Sequence, residues 1–350
     1  MVKEYGYEYD AALDENLWRK CEGKTANELL WGAQCFRSGR DTLKAIAREF
    51  KPCVALLPAL SCDSMVLPFE QYGHEIRYYK LKEDYSIDIE SLRFGEGLNL
   101  FLYMDYFGCP SISDKDLFRL REKGNIVFIE DRTHNLIWDR ASCFEPDFTM
   151  ASLRKWLPIP DGGLLWGTIK KIPDDDLVFS SSRLKAQLMR HEFLKCGDER
   201  IKTEYRQLFS TVSGMLNGDS PSRMSAYALE LAKKADLQRL QSVRRKNAEV
   251  LISILSSSRC ISLIQKETGL SDLYVAFTVP NRDEVQKQLS AKGIFNTIIW
   301  PLSAEQKNIC RIAKLTEENM LAAPCDQRYG CSDMEFIGKE IVRVAEDVNK

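Results

Sequence analysis

Short apolar segments alternate with helix-like segments through most of the first 170 residues. The apolar run 54–57 lies between two prolines and has the length of a buried strand, and the runs 98–103 and 126–130 have the same character. A helix that separates two such strands forms a crossover connection, which places the strands side by side and parallel. The sequence therefore predicts an α/β fold with a mainly parallel central sheet.

The same patterns predict further strands and helices along the chain. We expect strands over 75–80, 148–152, 163–167, 273–279 and 293–300, and helices over 61–72, 114–123, 223–255, 282–292 and 332–349. This order predicts an N-terminal segment over residues 1–30, a large α/β domain over 31–235, and a long helix with a small C-terminal α+β domain over 236–350.

An acid and a lysine follow two of the predicted strands. Asp131 ends the run 126–130, and Lys155 stands 24 residues later, shortly before the pair Gly162-Gly163. Ligands of parallel sheets collect at the carboxyl ends of strands. The order is the one expected where a lysine forms a Schiff base with pyridoxal phosphate (PLP) and an aspartate keeps the pyridine nitrogen protonated. We therefore predict a PLP site with Lys155 and Asp131 as catalytic residues.

A possible phosphate-binding loop precedes the first helix of the large domain. Ser38-Gly39-Arg40 is typical of a turn that closes on an anion at a helix N-terminus, although Ser-Gly is equally an ordinary helix cap. Ser152 could offer its hydroxyl to the same phosphate. An arginine at the position of Arg154 most often faces solvent, but it could also help to balance the charge of the phosphate.

His134 lies three residues after Asp131. A histidine at a strand end is more often a structural hydrogen bonder than a catalyst. Next to PLP it could instead donate a hydrogen bond to the 3′ oxygen of the ring. Both interpretations remain open from the sequence.

Composition excludes several classes of function. Lys and Arg number 49 and Asp and Glu 51, so the net charge of −2 does not favour nucleic-acid binding. No apolar run approaches the ~20 residues of a membrane span, and the N-terminus lacks a signal-peptide core, so we expect a cytoplasmic protein. Eleven cysteines without a CxxC pair and three histidines without ligand spacing predict reduced thiols and no metal site.

Taken together, these residues resemble the DegT/StrS family of fold-type-I PLP-dependent aminotransferases. The resemblance extends from about residue 30 to 345. Its motifs are a phosphate loop, an Asp-x-x-Gln segment, a lysine segment with a Gly-Gly turn, and pieces of a C-terminal unit. They read here as Ser38-Gly39-Arg40, Asp131-Arg132-Thr133-His134, Ser152-Leu153-Arg154-Lys155 with Gly162-Gly163, and Lys292-Gly293 with Trp300-Pro301.

The chain departs from the family pattern at several positions. Arg40 replaces a small hydroxyl residue, and Cys62 stands where an aromatic ring is expected to stack on the cofactor. The family's Gly-x-Asn-x-Arg segment reads Asp219 to Arg223 here and lacks the asparagine, with Asn217 nearby. Cys62 is nevertheless included among the candidate cofactor contacts.

The resemblance implies a fold-type-I enzyme that moves an amino group from an amino acid, with glutamate as the expected donor, to a keto acceptor such as a nucleotide-linked sugar. It also implies a homodimer with a shared active site. Arg223, Arg328 and Tyr329 are candidates for contacting a substrate carboxylate or phosphate. Two alternatives remain, because fold does not determine function: another PLP reaction, such as a lyase or C–C bond-forming reaction, or a degenerate PLP-fold partner protein.

Overall fold

The computed structural model describes residues 2–11, 26–139, 142–170, 176–218, 220–265 and 267–350. The predicted N-terminal segment 1–30 therefore lies partly outside the described residues. Cys21 and Asp219 also lie outside them. The strands are β1 (Tyr5–Gly6), β2 (Gln34–Phe36), β3 (Val54–Pro58), β4 (Glu75–Tyr79), β5 (Asn99–Met104), β6 (Ile126–Asp131), β7 (Phe148–Ala151), β8 (Gly163–Trp166), β9 (Ser262–Leu263), β10 (Tyr274–Thr278), β11 (Ile294–Phe295) and β12 (Met320–Pro324). The helices are α1 (Ala26–Leu30), α2 (Gly39–Glu49), α3 (Asp63–Gln71), α4 (Asp114–Glu122), α5 (Leu177–Cys196), α6 (Glu199–Met215), α7 (Ala226–Lys233), α8 (Leu237–Leu255), α9 (Arg282–Ala291), α10 (Ala304–Ile309), α11 (Arg311–Asn319) and α12 (Cys331–Val348).

Seven strands form the central sheet, in the order β2-β8-β7-β6-β5-β3-β4. The pairs β7–β6, β6–β5, β5–β3 and β3–β4 are parallel, whereas β8 runs antiparallel to both β7 and β2. All residues of β3 and β5 are buried, as expected for strands covered on both faces. The prediction of an α/β fold with a mainly parallel sheet is confirmed.

A second, smaller sheet has the antiparallel order β12-β10-β9. Its apolar side chains share one core with those of α8, α9 and α12. The N-terminal strand β1 pairs in parallel with β11, so that Tyr5 lies opposite Ile294. The first residues of the chain are thus attached to its C-terminal part.

Two predicted elements differ from the observed ones. The predicted helix 223–255 is two helices, α7 and α8, because Asp236 caps a new helix by accepting a hydrogen bond from the amide of Arg239 at 2.8 Å. The apolar periodicity continues across the break between the two helices, so the sequence pattern predicted a single helix. The predicted strand 293–300 is limited to the two residues of β11, and the following segment leads Trp300 to the edge of the central sheet.

The carboxyl ends of the parallel strands place the candidate residues. Met104 at the end of β5 lies opposite Asp131 at the end of β6, which in turn lies opposite Met150 in β7. The N-terminus of α2 faces the same edge. No helix within the described ranges is long and apolar enough to cross a membrane.

Candidate active site

Two backbone amides in the first turn of α2, those of Gly39 and Arg40, have no hydrogen-bond acceptor among the described residues. The hydroxyl of Ser38 accepts a hydrogen bond from the amide of Asp41 at 3.1 Å and donates one to the Asp41 carboxylate at 2.9 Å. The Ser38 hydroxyl is therefore used as the helix cap. The amides of Gly39 and Arg40 lie in the first turn, where the helix contains no earlier carbonyl that could accept their hydrogen bonds. These two amides, together with the positive end of the helix dipole, can therefore bind an anion.

A close approach between β8 and this loop explains the Gly-Gly turn. A Cβ atom on Gly163 would lie 2.3 Å from the carbonyl carbon and oxygen of Ser38. The amide of Gly162 donates to the carbonyl of Arg37 at 2.8 Å, which ties the two segments together. Glycine at 163 therefore lets the phosphate loop pack directly against the strand that follows the lysine segment.

An ion pair balances the acid in the first turn of α2. Arg37 donates to both carboxylate oxygens of Asp41, at 2.8 and 2.9 Å, and both side chains are buried. Arg37 also pairs with Asp176. The negative charge of Asp41 is thereby compensated at the point where an anion would bind.

Asp131 is only 6% exposed at the end of β6. Burial raises the pKa of its carboxyl, while hydrogen bonds from Thr133 and the charge of Lys155 counteract part of that rise. The amide of Thr133 donates to Oδ1 at 2.7 Å and orients the group. A buried carboxylate in this state is stabilised by a cationic partner.

Lys155 ends the short 3₁₀ helix Leu153–Lys155 that follows β7. Burial lowers the pKa of its ammonium group, the charges of Cys62 and Asp131 oppose this shift, and Arg154 adds to it. Its Nζ makes no hydrogen bond or ion pair to any residue that the structure describes. The lysine is thus shifted toward the neutral amine, which is the nucleophilic form.

His134 is a buried imidazole with one nitrogen in use. Its Nδ1 lies 3.3 Å from the amide nitrogen of Phe107 and accepts that hydrogen, which assigns the ring proton to Nε2. Nε2 is buried and has no partner among the described residues. Burial, together with Lys155, lowers the pKa of His134 to about 3. The side chain is therefore a neutral donor that lacks an acceptor.

One cavity of about 210 Å³ brings the predicted cofactor residues together. All eight line it: Ser38, Gly39, Arg40, Cys62, Asp131, His134, Ser152 and Lys155. Among the described residues, no group of His, Cys, Asp and Glu side chains is placed to hold a metal ion. We call this space the lysine cavity.

No family model and no curated protein sequence matches the chain. Solved structures, however, are similar along nearly its whole length. PseC from Helicobacter pylori, an aminotransferase involved in the biosynthesis of pseudoaminic acid, is 13% identical with a TM-score of 0.68, over 99% of this chain and 100% of PseC. Spr1654 from Streptococcus pneumoniae, described as a sugar aminotransferase and solved in a PLP form, is 15% identical with a TM-score of 0.67, over 98% and 99% of the two chains. A DegT DnrJ EryC1 StrS aminotransferase from Brucella abortus is 14% identical with a TM-score of 0.62, over 93% and 92%. The chain has the fold of these aminotransferases.

The residues of this aminotransferase fold are suited to PLP. The free amides of Gly39 and Arg40 match a phosphate, and the Asp131 carboxylate matches a protonated ring nitrogen. The unpartnered Nε2 of His134 matches the phenolic oxygen of the ring. Glycine at position 39 also lets the start of α2 pack closely against β7 and the residue that follows it, because a Cβ there would lie 3.2 Å from the side chains of Met150 and Ser152.

The lysine cavity also contains residues that the sequence did not single out as ligands. Thr133 lies inside the Asp131–His134 motif and could have been noticed there. Leu216 follows α6, and nothing in its local sequence indicates the site. Trp300 follows β11 and belongs to the Trp300-Pro301 piece of the family pattern, which was not assigned to the cofactor. Arg154 is half-buried in the cavity wall, which corrects the expectation that it faces solvent.

Arg40 is held at the rim of the lysine cavity. Its guanidinium donates to Ser64 Oγ at 2.7 Å and to the side chain of Asn217. Burial lowers the pKa of this guanidinium, and its Nε is buried without a described partner. Arg40 is thus oriented beside the free amides of α2.

The three candidate substrate residues lie outside the lysine cavity. Arg223 is exposed on the strand-like segment beside Phe36. Arg328 donates to both oxygens of Asp326 at 2.8 Å, and the hydroxyl of Tyr329 accepts from the amide of Gly6 at 2.8 Å. These contacts give Arg328 and Tyr329 structural partners within the chain, and the substrate roles of all three stay predictions.

Proposed function

We propose that the chain is a PLP-dependent aminotransferase, which moves an amino group from an amino acid to a keto acceptor. One observation carries the proposal. Lys155, Asp131 and the free amides of α2 converge on one cavity, within a fold shared with solved aminotransferases.

Each part of the lysine cavity has a distinct task in this proposal. The amides of Gly39 and Arg40 bind the cofactor phosphate, with the hydroxyl of Ser152 as a further donor. Asp131 holds the proton on the ring nitrogen. His134, neutral at physiological pH, donates from Nε2 to the phenolic oxygen.

The chemistry follows from these tasks. When bound, PLP supplies an electron-withdrawing ring that stabilises negative charge on the carbon next to the transferred nitrogen. Lys155 Nζ removes a proton from that carbon and returns it to the carbon on the other side of the transferred nitrogen, acting as general base and then as general acid. The lowered pKa of Lys155 supports the first of these steps, because only the neutral amine accepts a proton.

The acceptor and the assembly belong to the same proposal. PseC, which is involved in the biosynthesis of pseudoaminic acid, and Spr1654, described as a sugar aminotransferase, support a keto sugar as acceptor. We propose that this sugar is linked to a nucleotide, as the family resemblance implies. We place the protein in the cytoplasm as part of the same proposal. A homodimer is supported by exposed apolar side chains at the start of α5. Leu177 and Val178, 67% and 62% exposed, directly follow Asp176, the partner of Arg37 beneath the phosphate loop. Light scattering on Leu177→Asp and wild-type protein tests the dimer.

Spectroscopy and borohydride reduction test the enzyme proposal. The protein reconstituted with PLP should absorb in the imine band, and reduction should leave a pyridoxyl group on Lys155 in peptide mass spectra. Lys155→Ala should lose both signals. Lys287→Ala is the matched control, because the Lys287 side chain is 79% exposed on α9 and should change neither.

Incubation with amino acids separates the alternatives. Glutamate should convert the imine band to that of the amine form of the cofactor. A protein that binds PLP, but accumulates no amine form with any amino acid, would instead support another PLP reaction. A protein that cannot be reconstituted with PLP would support the degenerate-fold alternative.

A further inference from the structure

A second cavity, of about 330 Å³, adjoins the lysine cavity. Arg154 and Lys155 line both spaces. Residues 6–9 of the N-terminal segment form one wall, and side chains near the carboxyl ends of β11 and β12 form another. We call this space the N-terminal cavity.

Most charged side chains of the N-terminal cavity are already paired. Arg244 donates to the hydroxyl of Tyr9 at 2.7 Å and to the carbonyl of Asp272 at 3.0 Å. Arg328 is paired with Asp326, as described above. Glu8 forms an ion pair with Arg183, which lies behind the wall.

Arg154 and Lys155 are the exceptions among the described charged residues that line this cavity, and Lys155 is already assigned to the proposed cofactor. The guanidinium of Arg154 makes no hydrogen bond or ion pair within the described chain, and its Nε is buried. Burial lowers the pKa of Arg154 to about 10, and the charges of Arg183 and Arg40 contribute to the shift against the attraction of Glu8. A guanidinium that is desolvated without a partner is stabilised when an anion binds to it.

A second donor lies in the same cavity. The hydroxyl of Tyr274, at the start of β10, makes no hydrogen bond to a described residue, and burial raises its pKa to about 12. It therefore stays protonated. Arg154 and Tyr274 together offer a planar fork and a single hydroxyl, a donor set that suits a carboxylate.

We propose that Arg154 binds a carboxylate of the amino-acid donor in the N-terminal cavity, with Tyr274 as an auxiliary donor. The proposal rests on the proposed function, and it assigns the donor class as a small dicarboxylic amino acid. The volume supports this class. At about 330 Å³, the cavity is at the lower end of small-molecule sites, which span roughly 300–1,000 Å³, and this is a size range in which a small amino acid fits.

Calorimetric titration with succinate tests the proposal, because succinate carries two carboxylates and no amino group. The titration is made with PLP-loaded and with PLP-free protein. Arg154→Gln should weaken succinate binding about 10- to 100-fold, since charge-assisted bidentate bonds are lost. Arg154→Lys should fall between, because it keeps the charge without the fork. Arg200→Gln on α6, where the side chain is 88% exposed, is the matched control and should bind succinate as wild type does.

The cofactor affinity of the same variants separates the two cavities. Arg154→Gln should lose less affinity for PLP, measured by absorbance titration, than it loses for succinate. Its melting temperature should equal or exceed that of wild type, because an unpaired cation is removed. Tyr274→Phe, which removes only the auxiliary hydroxyl, should weaken succinate binding less than Arg154→Gln.

Several results would overturn the assignment. The first is that the wild-type protein binds no succinate, and the second is that all variants bind succinate equally. The third is that Arg154→Gln loses affinity for PLP and keeps its affinity for succinate. A parallel titration with inorganic phosphate that responds to Arg154→Gln, while succinate does not, would instead indicate a phosphate-bearing substrate. Failure of wild-type protein to bind PLP would refute the enzyme proposal alone, because the PLP-free titrations still test Arg154.

Discussion

Replacing Gly163 by alanine should weaken PLP binding through the phosphate loop, although Gly163 itself need not touch the cofactor. The added Cβ would lie 2.3 Å from the carbonyl carbon and oxygen of Ser38 and 2.8 Å from the amide nitrogen of Gly39. Ordinary contacts are 3.4–4 Å, so the backbone must separate by about 1 Å. The atoms that the new Cβ would contact all belong to the backbone, so rotation of a side chain cannot relieve the overlap.

The expected size follows from the groups that move. Such an overpacked contact costs about 1–3 kcal/mol of folding stability. A shift of about 1 Å at the start of α2 also misplaces the amides of Gly39 and Arg40. Loss of one hydrogen bond to a charged group costs about 1.5–3 kcal/mol, which corresponds to roughly 10- to 150-fold weaker PLP binding.

Absorbance titration with PLP and thermal melting of the PLP-free protein measure the two effects separately. Gly214→Ala in α6 is the matched control, because a Cβ there meets no atom within 4 Å. Alanine at that position should preserve PLP affinity and leave the melting temperature unchanged or slightly higher. A Gly163→Ala protein with wild-type affinity and melting temperature would refute the reasoning.

Three further predictions concern buried charges around the site. His134, neutral in the folded protein with a pKa of about 3, binds a proton more readily when unfolded, so its contribution should remove roughly 3 kcal/mol of stability as pH falls from 6.5 to 4. His134→Gln should show a smaller fall in melting temperature over that range, and an equal fall in both proteins would contradict this. Arg37→Met should destabilise the protein by about 3–5 kcal/mol in urea unfolding and weaken PLP binding, because Asp41 is left buried and unpaired. Adding Asp41→Asn should recover part of both losses, and no recovery would show that packing alone is involved. Asp131, whose pKa is raised by burial, favours the folded state at acid pH and loses that contribution as pH rises. Asp131→Asn should therefore melt higher than wild type at pH 7 without PLP, with the difference vanishing at low pH, while activity with PLP falls; a lower melting temperature at pH 7 would count against the burial argument.

Local sequence predicted eight of the residues that line the lysine cavity, because these residues lie at or near the ends of regular elements. The alternation of apolar strands with helices placed Asp131 and Lys155 at the same edge of a parallel sheet, and Ser38-Gly39-Arg40 marked the start of α2. Strand ends and helix starts can be read from short windows of residues. The break between α7 and α8 was missed because the apolar period continues across it.

The sequence by itself determined the fold class and eight of the residues that surround the proposed cofactor. Tertiary structure alone decided what each side chain is free to do. The amide of Phe107 sets the tautomer of His134, and Asp326 pairs with Arg328. Arg154 is left without a partner in the described chain because its neighbours from distant segments pair with one another. Hydrogen bonds and ion pairs join residues far apart in the chain, so their presence or absence depends on packing that no local pattern records.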